Sequence, residues 1–176
     1  MNLTDIRFPR LLEAEGVAET VRETLAVRTV KLWPNGDLDV ARITVGEPLK
    51  KALQKAGIRG QLCYGFEAIS ARLENEKKGI LNARGPGAFS DGRISRLLLF
   101  SDDGAERLYR HIELLIQAHA PRLLGCFLDM DCVALGKLIT GRDRRIKIVM
   151  VERKEAVSEV LRALIVGQAG ARLQKT

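Results

Sequence analysis

Apolar residues recur along this chain with two different periods. From residue 94 onward the alternation between them is regular. Ile94 to Phe100 is a near-continuous apolar run that ends at Ser101-Asp102-Asp103-Gly104. Leu123 to Leu128 is a second, ending at Asp129-Met130-Asp131, and Ile146 to Val151 is a third, ending at Glu152. Short apolar runs bounded by turn residues predict buried strands. Between them the period lengthens to that of a helix. Leu108, Ile112, Leu115, Ile116 and His119 share one face over 106–119, which Ala120-Pro121 closes. Cys132 to Ile139 reads as a short helix stopped by Gly141, and Val157, Val160, Leu161, Leu164 and Ile165 line a last helix over 156–166. Strands that are apolar throughout, separated by helices, predict a parallel sheet covered on both faces. The expected fold is α/β, three-layered, with a β-α-β-α-β-α parallel core over 94–165.

The first half is less regular. Residues 10–26 have helical spacing, weakened at Gly16. Arg28 to Trp33 alternates, Pro34-Asn35-Gly36-Asp37 is turn chemistry, and Leu38 to Val45 alternates again, which predicts a hairpin. Glu47 to Ala56 reads as a helix with Pro48 in its first turn and Gly57 past its end. Phe66 to Lys78 reads as another helix ended by Gly79, with a hairpin through Asn75 to Gly79 as the alternative. Three glycines and a proline make residues 82–93 a loop. Region 1–81 is expected to extend the sheet at an antiparallel edge or to form a small lobe, 94–166 to be the core, and 167–176 to be a frayed polar tail.

Composition narrows the class. A chain of 176 residues that is 46% hydrophobic has the material for one domain with a real core, and it is not a disordered chain. No apolar run approaches the roughly 18 residues of a membrane span, and MNLTDIRFPR is not of signal-peptide kind. Cys63, Cys126 and Cys132 form no CxxC pair, which fits thiols kept reduced in a cytoplasmic protein. The net charge is +7, and residues 141–176 carry nine basic against four acidic residues. Such a balance suits a phosphate-bearing partner.

Candidate chemistry sits at two predicted edges. If the last three strands are parallel, Asp102, Asp103, Asp129, Asp131 and Glu152 converge at their carboxyl ends, where open α/β sheets bind ligands. Asp102, Asp129, Asp131 and Glu152 would then be magnesium ligands of a phosphoryl-transfer or hydrolytic enzyme. The Asp129-Met130-Asp131 step resembles the Asp-x-Asp motif of Toprim domains over a short stretch. It departs from that motif at Ser101-Asp102, where Toprim domains place a glutamate, and at Gly136, five residues after Asp131 instead of three. The simpler reading of the same carboxylates is that they cap the helices that follow.

The opposite edge is predicted to be basic. Arg142, Arg144, Arg145 and Lys147 enter the third strand, and Arg84 and Arg93 belong to the glycine loop entering the first. Together they are the anion-binding candidates of the leading reading, a module for RNA, DNA or a nucleotide. The alternatives are the magnesium enzyme and a protein-interaction or assembly subunit, with self-association open and no membrane partner. Glu106, Arg107, Arg110, His111 and Glu113 are expected to form a charged helix surface. His111 and His119 lack a local cysteine partner for zinc. With 5% aromatic residues, Trp33 does not make a base-stacking platform.

Overall fold

In-and-out alternation along the central strands divides the core into two halves. The computed structural model describes residues 3–90 and 92–173. Its strands are β1 (Thr29–Lys31), β2 (Asp39–Ile43), β3 (Leu62–Tyr64), β4 (Arg96–Phe100), β5 (Leu123–Leu128) and β6 (Ile148–Val151), in one sheet of order β1-β2-β5-β4-β6-β3. Its helices are α1 (Arg10–Ala14), α2 (Ala18–Ala26), α3 (Glu47–Ile58), α4 (Phe66–Arg84), α5 (Gly87–Ser90), α6 (Glu106–His119), α7 (Cys132–Thr140) and α8 (Lys154–Leu173). Leu97 and Leu99 of β4 join Leu124, Cys126, Leu128, Val149 and Val151 on one face, under Leu25, Leu53, Leu135, Val157 and Leu161. Leu98 and Phe100 join Phe127, Ile148 and Met150 on the other, under Ile69 and Leu73 of α4 and Ile112 and Ile116 of α6. The result is a three-layer α/β fold. A side chain on Gly125 would place its Cβ 2.3 Å from Ile116 Cδ1, so this glycine lets α6 lie close on β5.

Strand direction corrects one expectation. β2, β5 and β4 are mutually parallel, and β1 pairs antiparallel with β2 as the hairpin pattern predicts. β6 runs antiparallel to β4, and β3 antiparallel to β6. The reversal follows from the path of the chain after α7, a helix of 9 residues. The chain turns at Gly141, whose φ is 69°, and runs back along α7 until Ile146 N–H donates to the Cys132 carbonyl. β6 therefore starts where β4 and β5 end.

Element boundaries differ in the N-terminal half. The helix predicted over 10–26 breaks at Gly16, where φ is 72°. α3 continues through Gly57 and α4 through Gly79, because a glycine inside a helix costs only about 1 kcal/mol and each helix buries an apolar face. The loop expected over 82–93 is shortened by the end of α4 and by α5. Asp91 in that loop lies outside the described residues. α8 extends to Leu173 instead of ending at 166, and 174–176 of the expected tail lie outside the described residues. No helix among the described residues is long and apolar enough to cross a membrane.

Glu113 is also corrected, from exposed to 6% exposed. Its carboxylate accepts from Trp33 Nε1 at 2.5 Å, Asp37 N–H at 2.8 Å and Leu38 N–H at 2.6 Å. A charge buried in this way is tolerated because its oxygens are satisfied by three donors. It fastens the turn of the β1–β2 hairpin to α6.

Candidate nucleic-acid interface

The reversal of β6 rearranges the predicted edges. The loop 141–147 returns to the carboxyl edge of β4 and β5, the same edge that carries Asp102, Asp103, Asp129 and Asp131. Lys147 marks the junction, since Ser101 N–H donates to its carbonyl at 2.9 Å. Glu152, at the far end of β6, lies on the opposite edge and pairs with Arg72 at 2.8 Å. Arg84 and Arg93 also lie toward that opposite edge, so the six candidate cations are not brought together.

The carboxylates gathered at the β4–β5 edge are already engaged. Asp129 accepts from Arg28 Nη1 at 2.9 Å, from Thr44 Oγ1 at 3.2 Å and from Arg42 Nε. Arg42 also reaches Asp102 at 3.1 Å. Burial alone would raise the Asp129 carboxyl. The hydrogen bond and charge of Arg42, helped by Arg28 and Thr44, outweigh it and hold the group below its ordinary value. Asp131 caps α7, accepting from Val133 N–H at 2.9 Å and Ala134 N–H at 2.8 Å. Asp103 accepts from Cys132 N–H at 2.9 Å. Burial works to raise Asp103, and the hydrogen bonds from Cys132 and Ser101, with the backbone ones, together more than offset it. Among the described residues no group of three or more His, Cys, Asp or Glu side chains is placed to hold a metal ion. The set read as magnesium ligands is thus divided between two edges and occupied by arginines and a helix terminus.

Cysteine chemistry is equally muted. The hydrogen bond to Asp103, with burial, pushes the Cys132 thiol up against the pull of Arg145 and Lys147. Burial pushes Cys126 up to about 12. Both are poor nucleophiles at neutral pH.

The basic loop is different, because its charges are not spent. Arg142, Arg144, Arg145 and Lys147 are exposed, and among the described residues none has a carboxylate partner within ion-pair distance. The loop is also held in place. Thr140 Oγ1 accepts from Arg142 N–H at 3.2 Å and donates to the Gly136 carbonyl at 2.7 Å. A Cβ built on Gly136 would lie 1.5 Å from the Arg144 carbonyl oxygen, so the loop backbone rests directly on α7 at the one residue that leaves room for it.

Tyr64 is the residue that the sequence reading missed. It ends β3, which lies beside β6, and it is 36% exposed. The Arg144 guanidinium lies 4.7 Å from the Tyr64 ring centroid and donates to the phenol oxygen at 3.2 Å. An open recess of about 460 Å³ is lined by Tyr64, Thr140, Arg142, Asp143 and Arg144. A neighbouring one of about 360 Å³ runs past Gly65 and Phe66 to Arg145 and Lys147. Phe66 in turn lies 5.7 Å from the His111 ring. Trp33, by contrast, is half-buried at the other edge under Arg110, 4.6 Å from its ring. The surface combines exposed cations, an exposed aromatic ring and an ordered backbone.

No family model matches the chain, and no curated protein does. Solved structures with a partial likeness include a Bacillus halodurans protein of unknown function, at TM-score 0.49 and 16% identity, covering 69% of this chain and 98% of that one. Another is a 15.5 kD RNA-binding protein from Giardia lamblia, at TM-score 0.44 and 11% identity, covering 72% of this chain and 92% of that one. Likenesses with TM-scores below 0.5 carry neither a family nor a function across to this chain.

Proposed function

We propose that the chain binds single-stranded nucleic acid on the surface formed by Arg142, Arg144, Arg145, Lys147 and Tyr64. The observation that carries this reading is the Arg144 guanidinium over the partly exposed Tyr64 ring, inside a run of four cations with no carboxylate partner among the described residues. Cations that track phosphates next to an aromatic face are how proteins hold unpaired strands. Arg144 keeps its donors in a planar fork while stacked, so it can meet a phosphate oxygen without leaving the ring. An unpaired base then has the Tyr64 and Phe66 rings to stack against.

The test is the salt dependence of binding. On a fluorescent single-stranded RNA or DNA, log affinity should fall by about 0.7 per log salt for each phosphate contacted. Replacing Arg144 and Arg145 together with Ala should flatten that slope by roughly one to two units on any sequence, since phosphate contacts carry no base information. Tyr64→Ala should weaken binding by about 1–3 kcal/mol, the range for a stacked base. A wild-type chain that binds neither strand at 50 mM salt, or a double variant with an unchanged slope, refutes the reading.

A further inference from the structure

The opposite edge of the sheet opens a second and larger basic cleft, of about 610 Å³. That lies within the ~300–1,000 Å³ of ordinary ligand pockets. Arg7 and Arg10 reach it from the start of the chain, Arg84 from the last turn of α4, Arg93 and Arg122 from the segments entering β4 and β5, and Lys154 from the first turn of α8. Glu155 is the one acidic residue among the described lining. Segments far apart in sequence thus bring six cations to one concavity.

Some of these charges hold the cleft and others face into it unspent. Arg93 donates to the Phe8 carbonyl at 3.0 Å and pairs with Glu13. Arg122 donates to the Ala88 carbonyl at 3.0 Å and packs across Gly92, where a Cβ would lie 2.6 Å from its Nε. That Nε is buried and has no hydrogen-bond partner. Arg10, Arg84 and Lys154 are exposed and have no carboxylate partner among the described residues. The N-terminus of α8, a helix of 20 residues, also borders the cleft through Lys154, Glu155 and Ser158. Its unpaired N–H groups add partial positive charge.

The wall chemistry selects the ligand. Among the described residues no aromatic ring lines the cleft, and Pro9, Leu11 and Ile94 give it little apolar surface. It is therefore built to read charge rather than a base. Near neutral pH one phosphate carries no more than about two negative charges, fewer than the three unspent cations, whereas adjoining phosphates match all three, which come from three elements. We propose that this cleft binds a compact di- or triphosphate group, carried by a nucleotide or free as inorganic polyphosphate, through Arg10, Arg84 and Lys154 with Arg122. This site is separate from the Tyr64–Lys147 surface.

Calorimetric titration of the full chain with inorganic triphosphate, ATP and orthophosphate at 50 mM salt tests it. Triphosphate and ATP should both bind, and orthophosphate at least tenfold more weakly. Equal affinities for triphosphate and ATP would mark the phosphates alone as the determinant, and tighter ATP binding would mark a nucleotide. Arg84→Ala with Lys154→Ala should lower triphosphate affinity at least tenfold with unfolding temperature unchanged, and Arg84→Lys should retain most of it. Arg144→Ala with Arg145→Ala should leave triphosphate affinity within twofold, which keeps this outcome apart from that of the nucleic-acid test. No triphosphate binding at millimolar concentration, or an Arg84/Lys154 variant with unchanged affinity, overturns the proposal. So does equal loss of single-stranded RNA binding in that variant, which would make the cleft part of one nucleic-acid track.

Discussion

The position of the basic loop depends on the absence of a single carbon atom. Gly136 is buried in α7, in a helix whose other positions would all place a Cβ, and the Arg144 carbonyl oxygen occupies the space that a Cβ would need. Alanine is the better helix former by about 1 kcal/mol, so an isolated α7 would gain from Gly136→Ala. In the folded chain the substitution forces the loop away from α7, since backbone atoms cannot tolerate a 1.5 Å approach. The Arg144–Tyr64 stack should then be lost together with the Thr140 contacts. The expected outcome is a drop in stability of about 1–3 kcal/mol, the range for overpacking, and a loss of nucleic-acid binding comparable with that of the Arg144/Arg145 variant. Denaturant unfolding and fluorescence anisotropy check the two parts. A stable Gly136→Ala chain with unchanged affinity would show that the loop geometry is irrelevant to binding. The sequence showed Gly136 only as a departure from a metal-site motif, because its role depends on a backbone segment eight residues away folding back upon it.

Elements that carry their own pattern were legible, and their mutual placement was not. α6 and β5 fall where their periodicity and apolar run put them, at Glu106–His119 and Leu123–Leu128. The hairpin was announced by its turn residues. β3, with 3 residues, is too short to show a period, and so Tyr64 was invisible as a site residue. An apolar run reads the same in either direction, so β6 gave no sign of being antiparallel. Its direction is set by residues 141–146 folding back along α7, a contact that local pattern does not encode. Arg42 was missed for a related reason: its partner Asp129 comes from the β2–β5 pairing, which local pattern does not encode. The same blindness hid Glu113, which a helical wheel places among charged neighbours. Glu113→Ala would leave the Trp33 indole N–H and the Asp37 and Leu38 amides without their acceptor. Each unmet buried donor costs about 1–3 kcal/mol, and relaxation with water entry recovers part of that. A loss of about 2–4 kcal/mol is expected, with amide exchange accelerated first in residues 36–38. A loss under about 0.5 kcal/mol, the level of an ordinary surface change, would mean that the hairpin does not depend on α6.

At the scale of the whole molecule the sheet separates two basic surfaces and keeps the titrating groups between them in different pH ranges. His119, the last residue of α6, is 2% exposed and packs against the Phe89 ring, with its Nε2 3.1 Å from the Glu74 carboxylate. Burial pushes its imidazole below the ordinary value, aided by Lys77 and opposed by Glu74 and Glu76. The folded chain therefore holds His119 neutral at a pH where the unfolded chain, with an ordinary histidine near ~6.5, has begun to take up a proton. The unfolded state binds more protons in that window, so stability rises with pH through it. The contribution is complete above about pH 6.5 and is lost as pH falls toward the depressed folded value. Asp129 and Asp103 act further down: their folded values are also lowered, so their stabilisation is present above the ordinary aspartate value of about 3.9 and is lost as pH falls through the folded one. The chain should accordingly unfold at lower denaturant at pH 5.5 than at pH 7.5. His119→Gln, which cannot take up the proton, should shrink that difference whatever its effect at pH 7.5. NMR titration of the imidazole checks the cause directly, since His119 should titrate below an ordinary histidine. Stability that rises on acidification from pH 7.5 to 5.5, or an undiminished slope in His119→Gln, would remove His119 as the source.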